Sequence, residues 1–218
     1  MTDIVIFGNG EFAKLLYPYF ISNNSYRICA FTVEKEYIVE TSLNGIPVIP
    51  YDEIEKKFPP EKYKMFIAIG SSNMNSLRFE KYISSKEKGY KFISFIHSSS
   101  QISDPVKIGE NTFIFENVVI QPNVTIGNGV IILSSCVISH NSVIGDWSFI
   151  ASHSCIAGRS VIGKFCFLGI HSMIRNDVIL SDNTFVGMGT AIVKDTEKNS
   201  MYLGIPGKKV GTSDNVKN

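Results

Sequence analysis

The sequence predicts a small α/β domain with a Rossmann-like parallel sheet, followed by a parallel β-helix of about five coils. Three observations carry this. An aliphatic residue falls at every sixth position from Ile102 to Ile192, through Ile108, Ile114, Ile120, Ile126, Ile132, Ile138, Ile144, Ile150, Ile156, Ile162, Leu168, Ile174, Leu180 and Val186. Four residues after each stands something small or β-branched, as at Val106, Thr112, Val118, Cys136, Ser142, Ser154, Cys166 and Thr184. The residues before the repeat alternate between strand-like and helix-like segments. A period of six fits neither a helix nor simple strand alternation, but it suits short strands separated by turns, three hexads closing one triangular coil. Such a solenoid buries its core by stacking coils, so it needs several of them and covered ends.

Each early element follows from local pattern. Residues 4–7 read as a strand, residues 8–13 as a turn opening a helix to Ser22, and residues 26–33 as a second strand. Residues 45–49 precede a short helix at 52–57, and residues 64–69 form another strand. The stretch from Gly70 to Asn73 leads into a helix ending near Lys88, residues 92–95 form a last strand, and residues 97–101 are the junction. In the repeat, Gly109, Gly127, Gly145, Gly163, Gly169 and Gly187 directly follow the aliphatic residue, where a bend is expected to need a conformation costly to residues with Cβ. The expected domains are 1–96, then 97–210 with a terminal cap, then a flexible tail at 211–218.

Lysine and arginine total 21 against 20 acidic residues, so no global electrostatic argument points to nucleic acid or an anionic membrane. Small-molecule partners are expected. No leader and no apolar run long enough to cross a bilayer is evident, so a cytoplasmic protein is expected. The four cysteines, Cys29, Cys136, Cys155 and Cys166, have no metal-ligand spacing and read as reduced and structural.

Two regions suggest chemistry. The Gly8-x-Gly10-x-x-Ala13 pattern resembles a dinucleotide fingerprint, and a helix opening there offers backbone N–H groups and a positive dipole end to a phosphate. The same glycines also suit a tight turn required by packing. Glu34 ends the second strand near where a ribose-binding acid would stand, although the domain is short for a full dinucleotide fold. Among the histidines, suited to proton transfer near neutral pH, His97 lies in the junction. His153 and His171 stand eighteen residues apart at equivalent positions and should stack one coil apart, either as a catalytic ladder or as a surface or subunit contact. His140 stands two residues after Ile138.

Over its whole length the chain resembles the hexapeptide-repeat acyltransferases, whose prism is a left-handed parallel β-helix and which usually work as trimers. Within them it looks most like the two-domain sugar acetyltransferases, including nucleotide-linked 4-amino-sugar N-acetyltransferases and relatives of the sialic-acid O-acetyltransferases. The handedness comes from this resemblance alone, since ordinary parallel crossovers are right-handed. The resemblance rests on the repeat, the glycine turn at 8–13, the segment from Cys136 to Gly145 containing His140, and the terminal stretch Tyr202-Leu203-Gly204-Ile205-Pro206-Gly207-Lys208-Lys209.

By that resemblance His140 takes the acceptor's proton. Asn141 orients the ring where many relatives have a carboxylate, and a Gly158 backbone N–H helps to stabilise the oxyanion. Asparagine carries no charge, so His140 should be a weaker base than in a His-carboxylate pair, which slightly favours an amine acceptor. Phe149 replaces a histidine that some relatives place near the thioester. Acetyl-coenzyme A would follow Phe149, Ala157, Gly158, Gly187, Met188, Gly189, Lys194, Pro206 and Lys208 in a cleft between subunits. Gly8, Gly10, Glu11, Phe12, Glu34, Gly70, Ser71 and Asn73 would face the nucleotide.

The expected function is therefore acetyl-CoA-dependent N-acetylation of a nucleotide-linked amino sugar, such as a 4-amino-4,6-dideoxyhexose, in bacterial surface-glycan (lipopolysaccharide O-antigen) biosynthesis. A homotrimer is expected, with no metal, nucleic acid or membrane partner. Sugar O-acetylation is the alternative, and a non-catalytic nucleotide-sugar-binding scaffold a third. A metal-dependent hydrolase is disfavoured because His153 and His171 complete no three-histidine site with His140.

Overall fold

The computed structural model describes residues 1–215. The chain divides into two compact units, Met1–Gly70 with Leu77–Ile93, and Ser71–Ser76 with Ser94–Asn218.

The first unit runs β1 (Thr2–Phe7), α1 (Glu11–Ser22), β2 (Tyr26–Val33), β3 (Ser42–Leu43), β4 (Ile46–Pro50), α2 (Ile54–Lys57), β5 (Lys64–Ile67) and α3 (Ser76–Glu87). The sheet order is β3-β4-β2-β1-β5. Its pairs are parallel except for the β3/β4 hairpin. Ile4, Val5 and Ile6 are fully buried, as expected of a central parallel strand covered on both faces, whose apolar run need not alternate. Helix α1 buries Ala13, Leu16 and Phe20, a spacing that keeps one stripe against the sheet.

The expected strand at 92–95 is corrected. Phe92 makes only an isolated parallel bridge to Met65, whereas Phe95–Ile96 is already the first rung of the prism, paired with Phe113–Ile114. Ile96 extends the six-residue register one step before Ile102, and the Phe95 ring stacks on Phe113 at 4.5 Å. Residues 97–101 are thus the first prism turn, and the units part between Ile93 and Ser94.

In the prism each two-residue strand pairs in register with the strand eighteen residues on, as in Val119 with Val137, Val137 with Cys155 and Cys155 with Met173. The strands build a six-stranded, a five-stranded and an eight-stranded sheet. The aliphatic position points inward, and with Val118, Val124, Val130, Cys136, Cys166 and Val178 it forms one continuous buried core. At several coils the small residue's hydroxyl or thiol donates to a carbonyl fifteen residues on: Thr112 to Gly127 (3.0 Å), Ser148 to Gly163 (2.9 Å), Ser160 to Arg175 (2.9 Å) and Cys136 to Ala151 (3.1 Å). The corner residue is small for space, and its polar atom ties coil to coil. Burial pushes the Cys136 and Cys166 thiols up to about 12, so both stay protonated, and all four cysteines are free.

The expected conformational role of the repeat glycines is also corrected. Gly109, Gly127, Gly145, Gly163, Gly169 and Gly187 are absent from the left-handed region, which is occupied instead three residues after each aliphatic position from Ile108 to Val186, as at Asn111, Asn117, Asn123, Gly129, Asn141, His153, His171, Asp177 and Asn183. Asn, Asp and His tolerate that conformation best. The repeat glycines are needed because a Cβ would collide with the next coil, at 2.6 Å from the Gly163 carbonyl carbon in the case of Gly145. Gly129 meets both demands: its φ is +63° and a Cβ would lie 2.1 Å from the buried Trp147 ring. Gly129→Ala is therefore expected to cost about 2–4 kcal/mol through overpacking and backbone strain. Denaturant unfolding of both proteins checks this, and an unchanged midpoint would mean that Trp147 repacks freely.

The tail also departs from expectation. Strand Ser200–Leu203 pairs with Phe185 and Val186, and Lys208–Thr212 returns antiparallel to it. Ser213 is buried and its N–H donates to the Asn199 carbonyl. Residues 211–215 thus belong to the cap, because the last coil's edge needs partners. Residues 216–218 of the expected flexible tail lie outside the described residues.

Candidate active site

In the first unit, β1 ends at a close backbone approach. The Gly8 N–H donates to the Thr32 carbonyl at 2.8 Å. A Cβ on Gly8, where φ is +117°, would lie 2.8 Å from the Ala68 carbonyl oxygen, so only glycine fits. Gly10 caps α1 without any side chain to fill its first turn, leaving N–H groups and the positive dipole end available. Glu11 sits exposed in that turn with Lys14 at 2.8 Å, and the carboxylate raises the Lys14 ammonium above its usual range. The Phe12 ring packs 3.8 Å from where a Gly70 side chain would stand. Glu34, expected near a ribose, is ion-paired with Lys81.

An open cleft of about 330 Å³ lies beside the turn, lined by Asn9, Gly10, Lys14, Tyr37, Val39, Glu40, Ser42, Leu43 and Val48. The Asn9 amide donates to the Tyr37 carbonyl at 3.0 Å, and Tyr37 is 62 % exposed. Of these, only Gly10 was anticipated. The signal for Tyr37, Val39 and Glu40 was their place in the loop after β2, at the carboxyl edge where ligand-contacting loops collect. Ser71 and Asn73 belong instead to the second unit.

In the prism, His140 stands exposed on the turn between the rungs Val137–Ile138 and Val143–Ile144. Three neighbours fix it. Its N–H donates to Gln121 Oε1 at 3.0 Å, a partner that sequence reasoning missed although it lies one coil before. The Asn141 amide meets His140 Nδ1 at 2.9 Å, with Asn141 itself left-handed at φ 58°. One coil beyond, Gly158 lies under the ring, where a Cβ would stand 2.7 Å from Nε2 and 2.8 Å from Cε1. The Gly158 N–H makes no backbone hydrogen bond among the described residues, while its carbonyl accepts from Asp177. Ala157 is occupied structurally, its carbonyl accepting from the Ser142 and Ser160 hydroxyls.

Apart from Ala157 and Gly158, the expected cofactor residues fall elsewhere on the single chain. Phe149 lies on the eight-stranded sheet, where the Phe149, Phe167 and Phe185 rings stack at 5.5 and 5.0 Å. Phe149 and Met188 line one apolar groove of about 460 Å³ together with Ser71, Leu133, Ala151, Gly169 and Ile170. His140 occupies the corner between the six- and five-stranded sheets, which this groove does not share. Gly187 is filled over by Leu203, while Gly189, at φ +65°, has open space. Lys194, Pro206 and Lys208 are exposed. The terminal motif acts as a cap: the Gly207 N–H donates to the Ala191 carbonyl at 2.7 Å, and a Cβ there would press on Ile192 and Thr190. His153 and His171 stack as expected, at 4.8 Å and 10°, on the corner between the eight- and six-stranded sheets. No group of three or more His, Cys, Asp or Glu among the described residues is placed to hold a metal ion. No helix among the described residues is long and apolar enough to cross a membrane.

Comparison with known proteins gives concordant results for the two parts. Residues 3–82 match the PglD N-terminal domain family. Among solved structures, the acetyltransferase domain of PglB from Neisseria gonorrhoeae FA1090 is 20% identical with a TM-score of 0.86, covering 96% of this chain and 100% of that one. PerB from Caulobacter crescentus, in complex with CoA and GDP-perosamine, is 24% identical with a TM-score of 0.86, covering 97% and 98%. WeeI from Acinetobacter baumannii AYE is 24% identical with a TM-score of 0.81, covering 96% and 100%. These likenesses establish a shared two-part fold, an α/β domain followed by a left-handed parallel β-helix. No curated protein matches the chain significantly. Residues 94–202, half of the chain, match the GMPPB C-terminal domain, and through them the chain belongs to that hexapeptide-repeat-like family.

Proposed function

We propose that this protein transfers an acetyl group from acetyl-coenzyme A to the amino group of a nucleotide-linked amino sugar. The observation that carries the reading is the setting of His140, an exposed imidazole bedded on Gly158 and met at Nδ1 by Asn141. The relatives support it: PerB binds CoA and GDP-perosamine, and the PglB domain is complexed with acetyl coenzyme A. The acceptor amine attacks the thioester carbonyl, His140 Nε2 takes the amine's proton directly or through water, and coenzyme A leaves as the thiol. The Gly158 N–H offers a donor to the oxyanion. No step calls for a metal.

The Asn141 amide decides which nitrogen can act. With Nδ2 toward the ring, as here, Nδ1 accepts and the ring proton resides on Nε2; a half-turn of the amide lets Oδ1 accept from Nδ1–H and frees the Nε2 lone pair. Base catalysis uses the second arrangement. Asn141→Asp would impose it, since a carboxylate only accepts, and aspartate tolerates the left-handed backbone. A severalfold rise in kcat/KM at neutral pH, with the basic limb of the pH profile unchanged and the acidic limb displaced, is expected. A profile identical to that of the parent would show that residue 141 does not govern the ring.

The first unit is proposed to hold the nucleotide, with the turn at Gly8, Gly10, Glu11 and Phe12 receiving the diphosphate and the Tyr37 cleft beside it. Glu34 and Gly70 are proposed to face the same ligand. The donor is proposed to run along Phe149, Ala157, Gly187, Met188, Gly189, Lys194, Pro206 and Lys208. Because the Phe149 groove and the His140 corner lie on different faces of one chain, this donor site requires a second copy. The exposed apolar residues Val143, Val161 and Ile179, one per coil on the five-stranded sheet, support a homotrimer. Light scattering tests it, and a fully active monomer would refute the shared site. A cytoplasmic place in bacterial surface-glycan synthesis belongs to the same proposal.

The deciding experiment follows thiol release from acetyl-coenzyme A with UDP-, dTDP- and GDP-linked 4-amino and 3-amino sugars beside their hydroxyl twins. Release with one amino sugar and not its twin supports the reading. Release with hydroxyl sugars alone would replace it by O-acetylation, and nucleotide-sugar binding without release by a scaffold role.

A further inference from the structure

A cleft of about 740 Å³ opens at the amino ends of β1 and β5, the edge of the sheet opposite the glycine turn. Four lysines line it, and three stretches of chain supply them: Lys62 from the turn before β5, Lys64 from its first position, and Lys88 and Lys91 from the residues after α3. Sheet register sets two of them side by side. Met65 and Phe92 form a parallel bridge, with the Met65 N–H donating to the Lys91 carbonyl at 2.9 Å and the Ile93 N–H to the Met65 carbonyl at 3.1 Å. Lys64 therefore stands across from Lys91 on chain segments about 4.8 Å apart, and both residues are exposed. Like charges so placed are destabilising, and neutral polar residues would serve the same exposed positions without that cost.

The nearby carboxylates do not relieve the repulsion. Asp3 is held by Arg27, whose Nε donates to it at 2.8 Å, and Glu55 is held by Lys88. Lys62, Lys64 and Lys91 make no ion pair among the described residues, and Glu61 is the remaining carboxylate of the lining. Three unpaired ammonium groups thus stand against one carboxylate, in a chain whose net charge is +1.

We propose that this cleft is a ligand site separate from the glycine turn, and that it takes a compact phosphorylated small molecule carrying two or more negative charges. Its volume lies in the range of small-molecule sites, and a concave wall of one sign concentrates counter-ions. Lysine binds phosphate as a point charge, so ammonium groups brought from three stretches can close on one ligand without a fixed fork. A bilayer surface fits less well, because it is broad and would meet charges displayed on a convex face. The proposal does not depend on the acetyl-transfer reading.

The test titrates the full chain by calorimetry at low salt with pyrophosphate and with fructose 1,6-bisphosphate, beside sedimentation with vesicles rich in phosphatidylserine. The parent is expected to show a saturable binding event that Lys64→Gln/Lys91→Gln weakens by about tenfold or more and that fades as salt is raised. Both lysines are exposed, so the variant should fold with a midpoint no lower than the parent's. Lys56→Gln/Lys107→Gln removes the same charge from exposed positions outside the cleft and should leave the affinity unchanged. Equal weakening in that control would reduce the effect to net charge and overturn the proposal, as would parental affinity in Lys64→Gln/Lys91→Gln. A parent that binds neither phosphate compound, or that binds the vesicles alone, overturns it as well.

Discussion

Replacing His140 by alanine is expected to lower kcat for acetyl transfer by about 10²- to 10⁴-fold, the range that a positioned general base supplies. The expectation depends on the substitution removing the imidazole and little else. His140 is exposed, and its turn is held by backbone groups that alanine retains: the N–H bonded to Gln121 and the carbonyl accepting from Arg159. An exposed site away from the core should change stability by no more than about 0.5 kcal/mol. Thermal unfolding and steady-state kinetics on the same preparation separate the two effects. Turnover near the parental rate in a folded variant would remove His140 from the reaction.

Gly158→Ala should produce the second largest loss, about ten- to a hundredfold in kcat, by displacing a catalytic group rather than deleting it. Gly158 is not among the residues with left-handed backbone, so alanine fits the main chain. The new methyl would nevertheless stand 2.7 Å from His140 Nε2 and 3.2 Å from Cδ2, and the exposed ring is the part able to move. The unfolding midpoint should therefore stay near the parental value, in contrast with Gly129→Ala, where the obstructed ring is the buried Trp147. Double substitution gives a further check. Once His140 is alanine, Gly158→Ala should have almost no additional effect, and full additivity would show that Gly158 acts independently of the ring.

The repeat was legible because its cause recurs: one position per hexad faces the core in every coil, and burial admits only aliphatic residues there. The turn chemistry was only partly legible. Asn141 reads in sequence as a catalytic departure, yet the same position is left-handed in successive hexads and is filled by Asn111, Asn117, Asn123 and Asn183 elsewhere, so asparagine there also has a backbone reason. The start of the prism at Phe95 was missed because the two strand residues after Ile93 look alike whether they join one sheet or another. The frayed tail was misread because polarity alone does not reveal a partner strand. At the glycine turn, the pattern located Gly8 and Gly10 but not the Ala68 carbonyl that excludes a side chain.

The sequence by itself determined the coil, its eighteen-residue register and the stacking of His153 on His171, since each depends on a spacing that every coil repeats; the candidacy of His140 came from the family resemblance of its segment. The tertiary structure alone decided which atoms meet: the His140 ring on Gly158, Gln121 at the His140 N–H, and Lys81 at Glu34. These contacts join residues whose proximity follows from periodicity or sheet order, but whose roles depend on side-chain direction and on gaps of a few tenths of an ångström, and those are set by three-dimensional packing.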